Sequence, residues 1–385
     1  MPPTVLLRAL VSVGSVVALA GCAAQAATPS VSNSSPTGKA SQSLGVVVIE
    51  PDVWIARPGQ PAATYFAAIV GLDGKIKASV RAFTPTALCC YPLVSVAGPH
   101  MYYLDGNTKL MRLDLDGTTA QVATLPGGSK DRVVVAVDPD SGRIAFGVAH
   151  IGPNTCPAQN SPGCTPPVST QLWVAAADGS GAHTLPSNRF PVAWHAGRIV
   201  VGPAGGFLQN RGETNPYLAE KLALVDPATG QITNMTASCS FPDGPLAPAG
   251  IICEDSTSGT SWSVNALGWD GHKTVLASSM KPLGSAALSP DGMRAAVLVN
   301  VESGPTWKFD LMLTGNGALT SLHTSAAPLG WFDATHLLVN TNATPSIAPT
   351  YEILDVANGG VVTVDLAGTR GYSSSSGYFA SFPSA

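Results

Sequence analysis

From residue 45 onward the apolar residues come in short runs broken by polar turns. Five segments share one pattern: VSVAGPHMYYL (94–104), VAVDPDSGRIAFGV (135–148), VAWHAGRIVVG (192–202), AALSPDGMRAAVLV (286–299) and LGWFDATHLLVN (329–340). Each predicts a short apolar strand, a polar turn and a second apolar strand. They recur about every 45 residues, with one interval about twice as long. SFPDGPLAPAGIIC (240–253) fills the long interval, and VVVIEPDVWIA (46–56) stands one step before the first segment. Seven such hairpins are therefore expected.

A second hairpin follows each. Its turns are LDGK (72–75), LDGT (115–118), DGSG (178–181), PATG (227–230), WDGH (269–272), GNGA (315–318) and ANGG (357–360). Asp-Gly and Asn-Gly suit two-residue hairpin turns, because both central positions then accept positive φ. Two hairpins per repeat give four strands, and a period near 45 is that of a propeller blade. The expected fold class is all-β, a seven-bladed β-propeller of four-stranded antiparallel blades over residues 45–370. Residues 371–385 read as a loose C-terminal tail. Closure of the ring is expected from GVVVIE (45–50) pairing with late strands around GGVVTVDLA (359–367).

Ser289-Pro290-Asp291-Gly292, with Trp194 and Trp331 at the tryptophan position, resembles the W-S-P-D-G signature of the WD40-like repeats of TolB-type propellers. The resemblance covers about residues 45–370 and implies the fold. TolB proteins carry an α/β domain ahead of the propeller that contacts envelope partners. Only a tether is expected ahead of this one, so the resemblance does not extend to a Tol-system role.

The N-terminus reads as an export signal: Arg8 supplies a positive charge and Ala9 to Gly21 an apolar run. Thirteen helical residues rise only about 20 Å, too short to span a bilayer. Leu19-Ala20-Gly21-Cys22 resembles the lipobox of bacterial lipoproteins. That resemblance implies removal of residues 1–21, a diacylglycerol thioether on Cys22 and an N-acyl chain on its new amine. Two or more acyl chains hold a protein at a membrane where one does not. Residues 22–44, rich in Ser, Thr, Ala and Pro, read as a flexible tether with a root-mean-square span of roughly 25 Å. The expected address is the outer face of a bacterial cell membrane, or another envelope membrane.

Charged residues make up 11% of the chain and the net charge is −4. With no basic run, a nucleic-acid partner is not expected. Setting Cys22 aside leaves Cys89, Cys90, Cys156, Cys164, Cys239 and Cys253, an even number in an exported chain. Short-range pairs Cys156–Cys164 and Cys239–Cys253 are expected, with Cys89-Cys90 either a vicinal ring or two free thiols. No CxxC or HxxxH spacing points to zinc, and no metal is expected.

In a four-stranded blade the a–b and c–d turns share one face, and the b–c and d–a connections the other. Residues 149–170 and 203–219 are then long b–c connections of the third and fourth blades, and 341–350 is one of the seventh. All six cysteines fall on that loop-rich face. Disulfides there would cut the ordering cost of binding loops. The candidate binding residues are Phe207, Gln209, Asn210, Arg211, Glu213, Asn215 and Tyr217, with Arg and Tyr as the usual interface anchors.

No catalytic constellation stands out. His100, His195 and His336 sit at a–b hairpins and His183, His272 and His323 at c–d hairpins, where polar turn residues belong; His150 opens the 149–170 connection. There is no GxSxG elbow. Asp73, Asp116, Asp178 and Asp270 each precede a turn glycine. LALVDPATGQIT (222–233) resembles the repeat of quinoprotein dehydrogenase propellers, and a vicinal Cys89–Cys90 disulfide would fit that family. Met235 and Thr236 stand where its docking tryptophan belongs, and Asp226 and Gly230 are equally hairpin residues. The leading expectation is a lipid-anchored envelope protein that binds or scaffolds a protein, peptide or glycan partner, with no cofactor beyond the lipid on Cys22. The alternative is a propeller enzyme of the envelope, quinoprotein-like or carbohydrate-active.

Overall fold

The computed structural model describes residues 43–49, 63–85, 93–128, 131–151, 168–185, 188–203, 222–237, 241–257, 261–302, 308–341, 350–366 and 377–381. They form seven four-stranded antiparallel sheets, the blades of a β-propeller. Blade 1 holds β1 (Leu44–Ile49), β2 (Thr64–Gly71) and β3 (Ile76–Phe83). Blade 2 holds β4 (Val94–Ala97), β5 (His100–Asp105), β6 (Lys109–Leu113) and β7 (Thr119–Thr124). Blade 3 holds β8 (Arg132–Val137), β9 (Ile144–Ile151), β10 (Val168–Ala175) and β11 (His183–Leu185). Blade 4 holds β12 (Arg189–His195), β13 (Arg198–Pro203), β14 (Ala223–Val225) and β15 (Ile232–Asn234). Blade 5 holds β16 (Phe241–Ala247), β17 (Gly250–Thr257), β18 (Ser261–Gly268) and β19 (Lys273–Ser279). Blade 6 holds β20 (Leu283–Leu288), β21 (Ala295–Glu302), β22 (Lys308–Gly315) and β23 (Ala318–Ser321). Blade 7 holds β24 (Ala327–Trp331), β25 (His336–Asn340), β26 (Tyr351–Asp355) and β27 (Val361–Thr363). In blades 2 to 7 these are strands a to d, in order.

The ring closes differently from the expectation. β28 (Gly377–Ser381) is strand a of blade 1 and pairs antiparallel with β1, Gly45 opposite Ser381 and Ile49 opposite Gly377. β27, within the stretch expected to close the ring, is instead the outer strand of blade 7. The tail expected to be loose therefore supplies the closing strand. Segment 46–56 is likewise not an a–b hairpin, because β1 is strand b and pairs with β2 on its other side. Closing with the last strand inside the first blade turns the end-to-end junction into a hydrogen-bonded ladder, which leaves no open strand edge at the seam.

Continuous apolar runs such as VVVI suit this ring because each blade packs on both faces. Val46 and Val48 join the core shared with blade 2, while Val47 and Ile49 face Phe332, Leu338, Tyr351 and Ile353 of blade 7. The period-two alternation of a strand thus serves two cores instead of core and solvent. The same division runs along β9: Ile144, Phe146 and Val148 pack toward blade 2, and Ala145 toward blade 4.

The W-S-P-D-G signature acquires a physical role at two seams. Trp194, on strand a of blade 4, donates its Nε1–H to Ala136 O of blade 3 at 2.9 Å. Arg143 of blade 3 lies 4.9 Å over the same indole and donates to Gly197 O at 3.1 Å. Asp138 holds that guanidinium at 3.0 Å. Blades 6 and 7 repeat the arrangement: Trp331 Nε1 donates to Ala287 O at 2.9 Å, and Arg294 lies over its ring and donates to Ala334 O. Each turn thereby reaches across and latches the next blade.

The c–d turns fall where the sequence places them, with a difference in type. Only Asn316-Gly317 takes positive φ at both central residues, 53° and 77°. At Leu115-Asp116-Gly117 the loop has three residues: Gly117 N–H returns to Asp114 O at 3.0 Å, and only Gly117 is left-handed. Asp116 accepts the Thr118 N–H at 2.9 Å. An aspartate side chain that caps the turn favours this bulged form over the two-residue turn.

Candidate functional site on the loop-rich face

Strand polarity sends the b–c and d–a connections to one face, among them the long connections between β9 and β10 and between β13 and β14. Blades 3 and 4 are neighbours, with β12 packed against β8 and β9. Phe207, Gln209, Asn210, Arg211, Glu213, Asn215 and Tyr217 belong to the second of these connections and lie outside the described residues, as do Cys22, Cys89, Cys90, Cys156, Cys164 and Cys239. Cys253 is fully buried on β17, opposite Pro242 near the open end of the β16–β17 hairpin.

The described rim of this face carries a built pair. Asp131 immediately precedes β8, the inner strand of blade 3, and His150 lies near the end of β9. Arg132 pairs with Ala149, so the next position in register sets Asp131 opposite His150. His150 Nδ1 lies 2.8 Å from Asp131 Oδ1. The other carboxylate oxygen accepts the Gly128 N–H at 2.7 Å. Asn107 is buried beneath and donates to both Gly128 O and Asp131 O at 3.1 Å. Burial alone would raise the Asp131 carboxyl, but the Gly128 amide and His150 outweigh it and hold it below its ordinary value.

In the tautomer that gives Nδ1–H to the carboxylate, His150 presents Nε2 as an acceptor. The imidazole is 45% exposed while Asp131 is 18% exposed, so the base is accessible and its orienting partner is sheltered. Such a pair can take a proton or a hydrogen bond from a ligand at this rim. The sequence carried a signal for it: the two residues lie equally far outside the Asp138–Arg143 turn, so the hairpin register brings them together.

The other histidines answer to turn geometry. His100 opens β5 and meets Asp114 at 2.6 Å, with Arg112 donating to the same carboxylate. His336 opens β25, 2.9 Å from Asp333 and 3.9 Å from Asp355. Asp333 also accepts from Ser43 just ahead of β1. Burial would raise its carboxyl, yet the Thr335 amide, His336 and Ser43 hold it down at about 2. His323 stands past β23 instead of inside the c–d hairpin, with a left-handed φ of 55°. Asp226 caps its hairpin, accepting from the Ala228 and Thr229 amides at 2.8 and 2.9 Å. Among the described residues no three His, Cys, Asp or Glu side chains converge as a metal site.

Comparison with solved structures follows this architecture. An acylaminoacyl peptidase solved with Z-Gly-Gly-Phe-chloromethyl ketone matches at 13% identity and a TM-score of 0.51, over 84% of this chain and 50% of that one. The acylaminoacyl peptidase of Pyrococcus horikoshii matches at 13% identity and 0.50, over 84% and 51%. The likeness is one of fold. This chain spans about half the length of the solved peptidases it matches. TolB from Acinetobacter baumannii matches at 11% identity and 0.40, over 90% of this chain and 68% of that one. No family model matches the chain, and no curated protein matches its sequence.

Proposed function

We propose that the protein is a membrane-anchored envelope lipoprotein whose propeller binds or scaffolds a protein, peptide or glycan partner through its loop-rich face. The observation that carries the reading is topological. Two long b–c connections belong to adjacent blades and leave the face whose inner rim is ordered by Asn107, Asp131 and His150. A rigid rim beneath long loops limits the ordering cost of binding. Cys22, carrying diacylglycerol and an N-acyl chain, is the proposed anchor, and the lipobox supports it. A Cys239–Cys253 link is proposed to fix the neighbouring blade 5 rim; the burial of Cys253 near the open end of the β16–β17 hairpin supports it.

One observation favours the second reading, an envelope enzyme of carbohydrate-active or quinoprotein-like type. The Asp131–His150 pair offers an oriented, accessible base. Affinity capture from envelope extract separates the two. The binding reading expects a partner retained by the native protein and lost from the Arg211→Ala/Tyr217→Ala variant. Retention by that variant contradicts it. Radioactive palmitate should label the native chain and not Cys22→Ala; labelling of both overturns the anchor.

A further inference from the structure

The opposite face, made of a–b and c–d turns, carries a cleft of about 520 Å³ between blades 2 and 3. One wall is blade 2, with His100, Tyr102, Arg112 and Gln121; the other is the pair of blade 3 turns, with Asp140 and Asp178. The volume lies in the range of small-molecule sites, roughly 300–1,000 Å³. Tyr102 sets the floor. It is 5% exposed, and its hydroxyl makes no hydrogen bond among the described residues. The ring is buried while the hydroxyl borders the cleft, so a group that fills the cleft can hydrogen-bond to it. The hydroxyl opens beside Gly142, where a Cβ would stand 3.8 Å from the phenolic oxygen. The glycine leaves the space above the hydroxyl clear.

The charges define what fits. Arg112 Nε lies 3.0 Å from Asp114 Oδ1, and His100 shares that carboxylate, so neither offers a spare positive charge to an anion. Asp140 and Asp178 oppose anions further. Donors thus line one wall and acceptors the other. The apolar lining residues are small ones, Ala97, Ala120, Val122, Pro139 and Ala177. A ligand whose every hydroxyl both donates and accepts matches both walls.

We propose that this cleft is a binding site for a short neutral oligosaccharide, with Tyr102 Oη as its central hydrogen-bonding group and Asp140 as an acceptor on the facing wall. The site is separate from the loop-rich face, so it stands or falls independently of the function proposed for that face.

The test is calorimetric titration of the full-length protein in a non-glycosidic detergent. The probes are maltotetraose, cellotetraose and mannotetraose, with tetragalacturonate and tetra-alanine as anionic and peptide comparators. At least one neutral tetrasaccharide is expected to bind better than both comparators. Tyr102→Phe should weaken it roughly three- to ten-fold, the worth of one neutral hydrogen bond. Asp140→Asn, at an exposed turn position, should weaken it without lowering the melting temperature. Absence of binding by all three neutral sugars overturns the proposal. So does a preference for either comparator, or affinity unchanged in both variants.

Discussion

Trp194→Phe tests the seam between blades 3 and 4. The substitution keeps an aromatic ring at a position only 5% exposed but removes the Nε1–H that Ala136 O accepts at 2.9 Å. A lost hydrogen bond with its acceptor left buried costs about 1–2 kcal/mol. Weakening the contact with Arg143, 4.9 Å above the ring, costs about 0.5–1 kcal/mol. The smaller ring forgoes about 1 kcal/mol of burial. The total is about 3 kcal/mol, or a fall in melting temperature of about 5 °C for a unit of this size. Trp173 supplies the internal comparison. Its ring stacks on Phe146 at 5.8 Å, but its Nε1 has no partner, so Trp173→Phe forfeits no hydrogen bond. Urea unfolding followed by circular dichroism should therefore rank Trp194→Phe well below Trp173→Phe in stability. Equal costs would refute the latch, and with it the account of why the tryptophan and the aspartate–arginine turn recur together.

Gly179→Ala should destabilise by about 2–4 kcal/mol, because φ is +78° and the new Cβ would stand 2.5 Å from Val122 O. Gly117→Ala, at +87° with nothing within 4 Å, should cost only about 1 kcal/mol; chemical denaturation of the pair separates steric clash from backbone strain. Asp333 contributes stability that is present above the unfolded carboxyl value and lost as pH falls from about 4 toward its folded value of about 2. Acid titration should show the native protein losing about 1–2 kcal/mol across that window, with the loss absent in Asp333→Asn. Truncation after residue 376 removes β28 and should abolish the cooperative melt, whereas truncation after residue 381 should leave it unchanged.

Repeats made most of the fold readable. The apolar–turn–apolar segments mark the a–b hairpins of blades 2 to 7, and the Asp-Gly and Asn-Gly turns mark the c–d hairpins, because both are local features. Closure was not local. Val46 to Ile49 are apolar on both faces, so they satisfy any position inside the ring, and nothing within them specifies Gly377–Ser381 over 359–367 as partner. Turn type departs from the expectation for a related reason: the aspartate side chain, not the dipeptide, decides between two- and three-residue loops. His150 was legible only through register, since its partner Asp131 is remote in sequence and separated from it by a hairpin. The Tyr102 cleft depends on two blades meeting, which no single repeat encodes.

On the proposed function, partners meet the loop-rich face. Site-specific photocrosslinking in intact envelopes tests it most directly, with the photoreactive residue placed at Tyr217 in one sample and at Leu115 in another. Leu115 is exposed on a c–d turn of the opposite face. Discrete adducts are expected from position 217 and none from 115. Adducts from 115 alone, or none from 217, would contradict it.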